Sequence, residues 1–505
     1  MRPDNPSTAE STPKTPPTSP GAGRDTLSHF LVSLATVYGV LIADQGLGIL
    51  RLLLFAGLLG REGFGAFALA TSLVNLVLPL ATLSIPSAHL RYVPEYERRG
   101  SLRAFFRRGA ALLALATVPL VCVGLGAARR LSMMVFGSEE FAALIRLAAV
   151  GLGLASVYEF GLAALRGLRQ FRSTALLELL NTAIFVGLGI AALVGVARRP
   201  EWAMGANLAA SGIVALAFAA MLIRQRKGWP AVGDIEPPGP FAARLLGFSG
   251  AYIGNAFLSG AFAFLSQWMV NAFVSLQDTG SFGFAMRISQ MLLVLISAFN
   301  LVLAPYLSGM WIDGEREKSG QLLHLVSKLT LFALVEGALV LQVAAEVILP
   351  RLLPEYAGGL GVLRILIAAQ LCNASVWTFG QYANLVERPN LKLLASGLGL
   401  GCFSVAAVYF APSAGVAGVA WSLLGAHAAV LGMTLYFTLR IGLKPDRSIL
   451  LALAAPCALA APGRLGAAAV AVALVAVAWF TPLLFAPQEK AIVAQTFRGY
   501  RETGR

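Results

Sequence analysis

The sequence predicts an all-α polytopic membrane protein of about 14 transmembrane helices: two six-helix bundles related by a parallel repeat, plus two extra C-terminal helices. Three observations carry this. Of 505 residues, 57% are hydrophobic and 13% charged, with a mean hydropathy of +0.74, whereas soluble domains carry about 25% charged residues. Apolar runs of roughly 20 residues, the length that spans a bilayer, follow one another along most of the chain. Finally, ASVYEFG at 155–161 and ASVWTFG at 374–380 share five of seven residues at an offset of 219, and Pro86 pairs with Pro305 and Tyr92 with Trp311 at the same offset. Phe64-Gly65 pairs with Phe282-Gly283 at 218. A duplication built from membrane helices points to a transporter with its site between the halves.

Residues 1–26 hold six prolines among Ser and Thr; such a segment cannot bury a core or form a signal sequence, and a disordered tail is expected. Apolar spans then fall near 29–59, 64–90, 105–128, 139–165, 174–197, 203–223, 243–273, 281–309, 322–349, 360–384, 391–411, 414–439, 449–463 and 465–486. Each must be helical, because hydrocarbon offers backbone amides no water. The first bundle covers 27–223, a linker rich in Pro and Gly covers 224–242, the second bundle covers 243–440, the added helices 441–486, and a basic tail 487–505. An even number of helices per half makes the two copies face the same way.

With the N-terminus inside, 28 of the 39 Lys and Arg fall on cytoplasmic tails and loops and eight on the opposite face. This bias places both termini in the cytoplasm. The formal charge of +14 is thereby a matter of topology, and nucleic acid is not expected as a partner. Cys122, Cys372, Cys402 and Cys457 lie in apolar stretches without metal-ligand spacing and read as small hydrophobes. His29, His89, His324 and His427 are scattered. No nucleotide-binding Gly-rich loop, His-Glu-x-x-His or Gly-x-Ser-x-Gly motif occurs. A membrane-embedded polymerase or glycosyltransferase would want a large loop bearing catalytic residues, and no extramembrane stretch exceeds roughly 25 residues. An enzyme is not expected, nor any cofactor or metal.

Charges within spans cost about 2.5–3.5 kcal/mol each on insertion scales and are candidates for function. Asp44 and Arg51, seven residues apart, share one face of the first span, and Arg287 and Gln290 share one face of the eighth. Against a cavity role, Arg51 could pair with Asp44 or reach outward to headgroups. Arg146 and Arg364 read as interfacial anchors. Gln370, Asn373, Trp377, Gln381 and Asn384 form a stripe of about 80° on the tenth span. Amides beside an indole suit a sugar's hydroxyls and ring face, though amides also join membrane helices to one another. Asp44 and Glu336 are candidates for taking up H+ or Na+. Glu159, Glu178 and Asn181 beside Arg166, Arg169 and Arg172 read as a structural network. Pro79, Pro86 and Pro305 should bend their helices, and the repeat-matched Pro86 and Pro305 are candidate hinges.

LGREGFGAFALA (59–70), ALRGLRQF (164–171), FGFAMRISQMLLVLISAFNLVLAPYLS (282–308) and GVAGVAWSL (415–423), in this order and spacing, resemble the lipid-linked oligosaccharide flippases of the multidrug/oligosaccharidyl-lipid/polysaccharide exporter superfamily. The resemblance runs from about residue 30 to about 440. It implies two six-helix bundles in a V that open alternately, in the bacterial inner membrane. It also implies a polyprenyl-pyrophosphate-linked glycan as cargo, polysaccharide assembly proteins as partners in O-antigen or exopolysaccharide export, and action as a monomer. GLGILRLLLFAGLLG (46–60) is similar to the Gly-x-x-Arg pattern of the superfamily's peptidoglycan-precursor flippases. By that likeness Arg51 and Arg287 match cavity arginines, and guanidinium forks suit pyrophosphate oxygens. A third arginine of that branch is missing near Thr71 and Ser72, which favours the broader polysaccharide branch. Asp44 resembles the first-helix aspartate of the multidrug exporters, so a cation-coupled multidrug exporter is the alternative expectation.

Overall fold

The computed structural model describes residues 22–226, 229, 241–294, 296, 307, 309–311, 313–460, 463–482, 484–487 and 489–490. Among these residues every regular element is helical: α1 (Ala22–Thr82), α2 (Ile85–Arg98), α3 (Leu102–Gly126), α4 (Ala128–Phe136), α5 (Ala142–Gly167), α6 (Phe171–Gly195), α7 (Pro200–Arg226), α8 (Phe241–Phe273), α9 (Leu276–Gln290), α10 (Arg316–Leu352), α11 (Leu360–Leu385), α12 (Asn390–Arg440), α13 (Arg447–Ala454) and α14 (Gly463–Phe480), with short 3-10 turns at Pro354–Gly359 and Ala455–Ala460. Nine are long and apolar enough to cross a bilayer. Two of these are double length. The 51 residues of α12 would extend about 76 Å at about 1.5 Å per residue, over twice the roughly 30 Å hydrocarbon layer. They are broken at Gly415 (φ 57°), and α1 is broken at Gly60 (φ 65°). Both breaks need a left-handed backbone that glycine adopts without strain; Gly60 falls at the expected boundary between 59 and 64, and Gly415 lies one residue past the expected boundary between 411 and 414. The chain is therefore a polytopic all-α membrane protein. Residues 1–21 of the expected tail, most of the 224–242 linker, Pro305 and residues 491–505 lie outside the described residues.

The repeat is visible in how helices end. After α5, Gln170 N–H donates to Leu165 O (2.9 Å) and Arg169 N–H to Arg166 O (3.0 Å); after α11, Arg388 N–H donates to Ala383 O (2.8 Å) and Glu387 N–H to Asn384 O (3.1 Å). These are the same Schellman closure, with Arg169 (φ 60°) and Glu387 (φ 57°) both left-handed. The first Phe-Gly has a packing reason, since a Cβ on Gly161 would sit 2.8 Å from the Phe218 ring; one on Gly380 would make an ordinary contact with the Lys392 side chain at 3.4 Å.

Three details depart from the sequence reading. The expected 64–90 span breaks at Leu83 (φ 50°) and Ser84 (φ 44°) and resumes as α2, which runs on to Arg98. Pro86 lies in the first turn of α2, where its missing amide costs nothing, so the bend precedes it rather than arising from it. Residues 129–140, read as a connection, contain α4, which buries Ala128, Ser132, Val135 and Phe136. The first described helix starts at Ala22, inside the segment assigned to the tail.

The halves meet most closely where α1 crosses α9. A Cβ on Gly65 would lie 2.3 Å from Leu276 O, and one on Gly280 would lie 1.8 Å from Arg61 O. Arg61 also bonds Asp278 and Ser281, each at 2.8 Å, and Tyr356 donates to Ala56 O at 3.2 Å. Near these, Trp268 and Asn271 of α8 donate to Met134 O (3.0 Å) and Val135 O (2.9 Å) at the end of α4, satisfying carbonyls that a helix end leaves unpaired. A separate contact joins Arg244 to Glu95 (2.8 Å), with the Arg244 guanidinium 4.8 Å above the Tyr92 ring.

The added helices dock on the second half through a buried lysine. Lys328 of α10 is 3% exposed and pairs with Asp446 (3.0 Å) and Glu489 (2.8 Å). Burial pushes the Asp446 carboxyl up, but the Ser448 amide and Lys328 outweigh it and hold it below the usual carboxylate range.

Candidate functional site

Two adjoining cavities of about 330 Å³ each lie between the halves. The first is built by α1, with Phe185 of α6, Asn207 of α7 and residues of α9. Its lining includes Gln45, Arg51, Thr71, Asn75, Arg287 and Gln290 over an aromatic floor of Phe55, Phe64, Phe67 and Phe185. Phe55 packs edge-on against Phe185 (5.4 Å) and fits because Gly189 has no side chain; a Cβ there would lie 2.2 Å from the Phe55 ring. The Arg51 guanidinium stands 4.6 Å over the Phe185 ring, a cation–π arrangement that fixes its position without neutralising it. Its described lining contains no carboxylate.

The structure thus brings Arg51 and Arg287, one from each half, together with Gln290 into one cavity. Among the described residues neither arginine has an ion pair, and the pairing of Arg51 with Asp44 is not formed. Asp44 lies outside that lining, with Oδ1 buried and unpartnered. Thr71, where the missing third arginine would fall, lines the cavity but spends its hydroxyl on Phe67 O (2.8 Å), while Ser72 is buried and turns to Leu69 O.

The second cavity is formed by α8, α9, α11 and α12, with Ser84 and Ser87 from α2 and the break before it. Gln290 lines both cavities and joins them. The predicted amide stripe divides here. Gln370, Asn373 and Trp377 line the cavity, and Asn373 donates to Gln370 Oε1 at 3.2 Å. Gln381 and Asn384 do not line it; Asn384 is exposed and bonds Gln381 at 3.2 Å. Helical spacing puts all five on one face, but the cavity lining on this helix stops at Trp377, one turn short of Gln381.

Glu336 of α10 lines neither cavity, and its Oε1 is buried without a partner. Arg364 is not a bare anchor: it pairs with Glu346 of α10. Arg146, near its repeat position, is exposed. Of the expected structural network, Arg166 pairs with Glu178, while Asn181 Oδ1 is buried without a hydrogen-bond partner.

The sequence reading missed Lys392, Tyr252, Asn255, Ser259, Ser396 and His427, all of which line the second cavity. Lys392, three residues past Pro389, counts in the charge pattern as a loop residue. Yet its ammonium lies 5.7 Å over the Trp377 ring, inside the cavity. The missed signal was Trp377 itself: a Lys near the start of the following helix can reach back along the preceding one.

A family model described as polysaccharide biosynthesis protein matches residues 32–311. The chain belongs to the polysaccharide biosynthesis protein family. Its fold is similar to three solved structures. "Lipid II flippase MurJ, inward closed conformation" is 15% identical with a TM-score of 0.66, covering 88% of this chain and 98% of that one. An inward-facing multidrug resistance MATE family transporter of the MOP superfamily is 16% identical with a TM-score of 0.61, covering 80% of this chain and 94% of that one. An outward-facing one is 14% identical at 0.58, covering 82% and 96%. No curated protein matches the chain. These likenesses show that this member of the polysaccharide biosynthesis family shares its fold with those three proteins.

Proposed function

We propose that this member of the polysaccharide biosynthesis family is a flippase of the bacterial inner membrane, moving a polyprenyl-pyrophosphate-linked oligosaccharide to the outer leaflet by alternating access. The observation that carries this is the pairing of Arg51 with Arg287, one from each half, in a cavity whose described lining holds no carboxylate. Two guanidinium groups suit the clustered oxygens of a pyrophosphate. The glycan would occupy the adjoining cavity against Gln370, Asn373 and Trp377, while the lipid tail stays in the bilayer. Because each half supplies one arginine, headgroup binding would tie the halves together on the loaded side. Asp44, with a buried and unpartnered oxygen, is our candidate for H+ or Na+ coupling; Glu336, away from both cavities, is a weaker one. Both termini would face the cytoplasm, and partners would be the enzymes of glycan assembly.

An organic cation entering the first cavity would meet two unpaired guanidinium groups, which disfavours the multidrug reading. In proteoliposomes holding a fluorescent polyprenyl-pyrophosphate oligosaccharide, wild-type protein should make the inner-leaflet pool accessible to an external glycosidase. An unchanged leaflet distribution would sink the proposal.

A further inference from the structure

Lys392 carries chemistry that the flippase reading does not use. Its Nζ lies 5.7 Å from the Trp377 ring centroid, within the roughly 6 Å over which an aromatic face attracts a cation. Among the described residues it makes no hydrogen bond or ion pair, so three ammonium donors stay open. The side chain runs past Gly380, where a Cβ would lie 3.4 Å from its Cδ. The described residues lining its cavity include serines, amides, Tyr252 and His427 but no Asp or Glu. His427 offers no counter-charge, because an imidazole is neutral or cationic; its Nδ1 faces Leu423 O at 2.9 Å and its ring packs on Phe262 at 4.8 Å. A half-buried ammonium without a counter-charge costs free energy that an incoming anion would recover.

The position is also particular to one half. Trp377 corresponds to Tyr158 at the offset of 219, and Lys392 to Thr174 at the offset of 218 that matches the two helix closures. Duplication therefore does not explain the lysine, and the arginines occupy the other cavity. A lipid-linked glycan spanning both cavities would meet cations twice: at the arginines with its pyrophosphate, and at Lys392 with a sugar.

Resting on the flippase reading above, we propose that Lys392 selects an acidic glycan, binding an anionic substituent of a sugar stacked on Trp377. The substituent is a carboxylate, as on a uronic acid, or a phosphate ester; both present oxygens to the ammonium in the same way.

The test uses the full-length protein in lipid nanodiscs, with binding read from tryptophan fluorescence. The probes are a glucuronate-containing oligosaccharide, its carboxyl-reduced neutral counterpart, a phosphorylated oligosaccharide of the same length, and undecaprenyl pyrophosphate. Wild type should bind one of the acidic probes at least about tenfold more tightly than the neutral one, the size of one charge-assisted hydrogen bond. The better acidic probe identifies carboxylate or phosphate as the substituent. Lys392→Gln should remove the preference, Lys392→Arg should keep it, and neither should change binding of undecaprenyl pyrophosphate. Equal binding of acidic and neutral probes by wild type, or an acid preference that survives in Lys392→Gln, overturns the proposal while leaving the flippase reading intact. Failure of undecaprenyl pyrophosphate to bind wild type would instead count against the flippase reading.

Discussion

The two halves close their fourth spans, α5 and α11, with the same Schellman turn at Arg169 and Glu387, yet they equip the space between them differently. The first half sets Arg51 on an aromatic floor of Phe55, Phe67 and Phe185. The second half contributes Arg287, but it also supplies the amides Gln370 and Asn373, the indole of Trp377 and the ammonium of Lys392. It alone carries the docked C-terminal helices, through Lys328. The backbone turn that closes the helix is kept in both copies, whereas the side chains lining the two cavities differ between them.

Several substitutions would break or sharpen that contrast. The largest effect is expected at Lys328. Removing one partner from a buried ionic cluster costs about 3–5 kcal/mol, so Lys328→Ala should lower the thermal stability of the detergent-solubilised protein strongly and expose 441–490 to protease. Asp446 is held below the usual carboxylate range, so its contribution is present above that range and fades as pH falls through the depressed value. The gap between wild type and Lys328→Ala should therefore narrow in acid.

Next comes Gly280→Ala. Its Cβ would meet Arg61 O at 1.8 Å, and overpacking of this kind costs about 1–3 kcal/mol. Because the clash lies between the halves, crosslinking of cysteines placed across Gly65 and Gly280 should slow while the stability of each bundle is retained. Trp377→Ala should reduce glycan transport by up to about tenfold, in line with about 0.5–1.5 kcal/mol for an aromatic contact. Tyr158→Ala, the matched position in the first half, should leave transport within about twofold of wild type by the same measure. Equal losses would mean that the glycan face is shared. Smallest is Arg61→Ala: its pair with Asp278 is about one-third exposed, and such pairs give at most about 1 kcal/mol, so a modest shift in the same crosslinking rate is expected.

How much the sequence reveals follows the same division. Hydropathy locates the crossings, because that signal is local, and the breaks at Gly60 and Gly415 lie at or within one residue of the boundaries it gives. Arg51, Arg287 and Gln290 are found because charge and amide groups in a bilayer demand an explanation. What stays hidden depends on tertiary packing. The strained Leu83–Ser84 break has no glycine to mark it, and α4 is too short and polar to read as a span. Lys392 looks like a loop cation until α11 and α12 are packed together. Gln381 and Asn384 share the right face of their helix, but the cavity stops short of them, and no helical wheel shows where a neighbouring helix ends.

The central claim is that one arginine from each half grips a pyrophosphate. Arg51→Gln, Arg287→Gln and the double variant, each checked for normal folding, would be compared in proteoliposomes for flipping of a polyprenyl-pyrophosphate oligosaccharide. The account predicts that either single variant loses at least about tenfold in rate and that the double variant loses little more, because the two act on one headgroup. Wild-type rates in both single variants would contradict it.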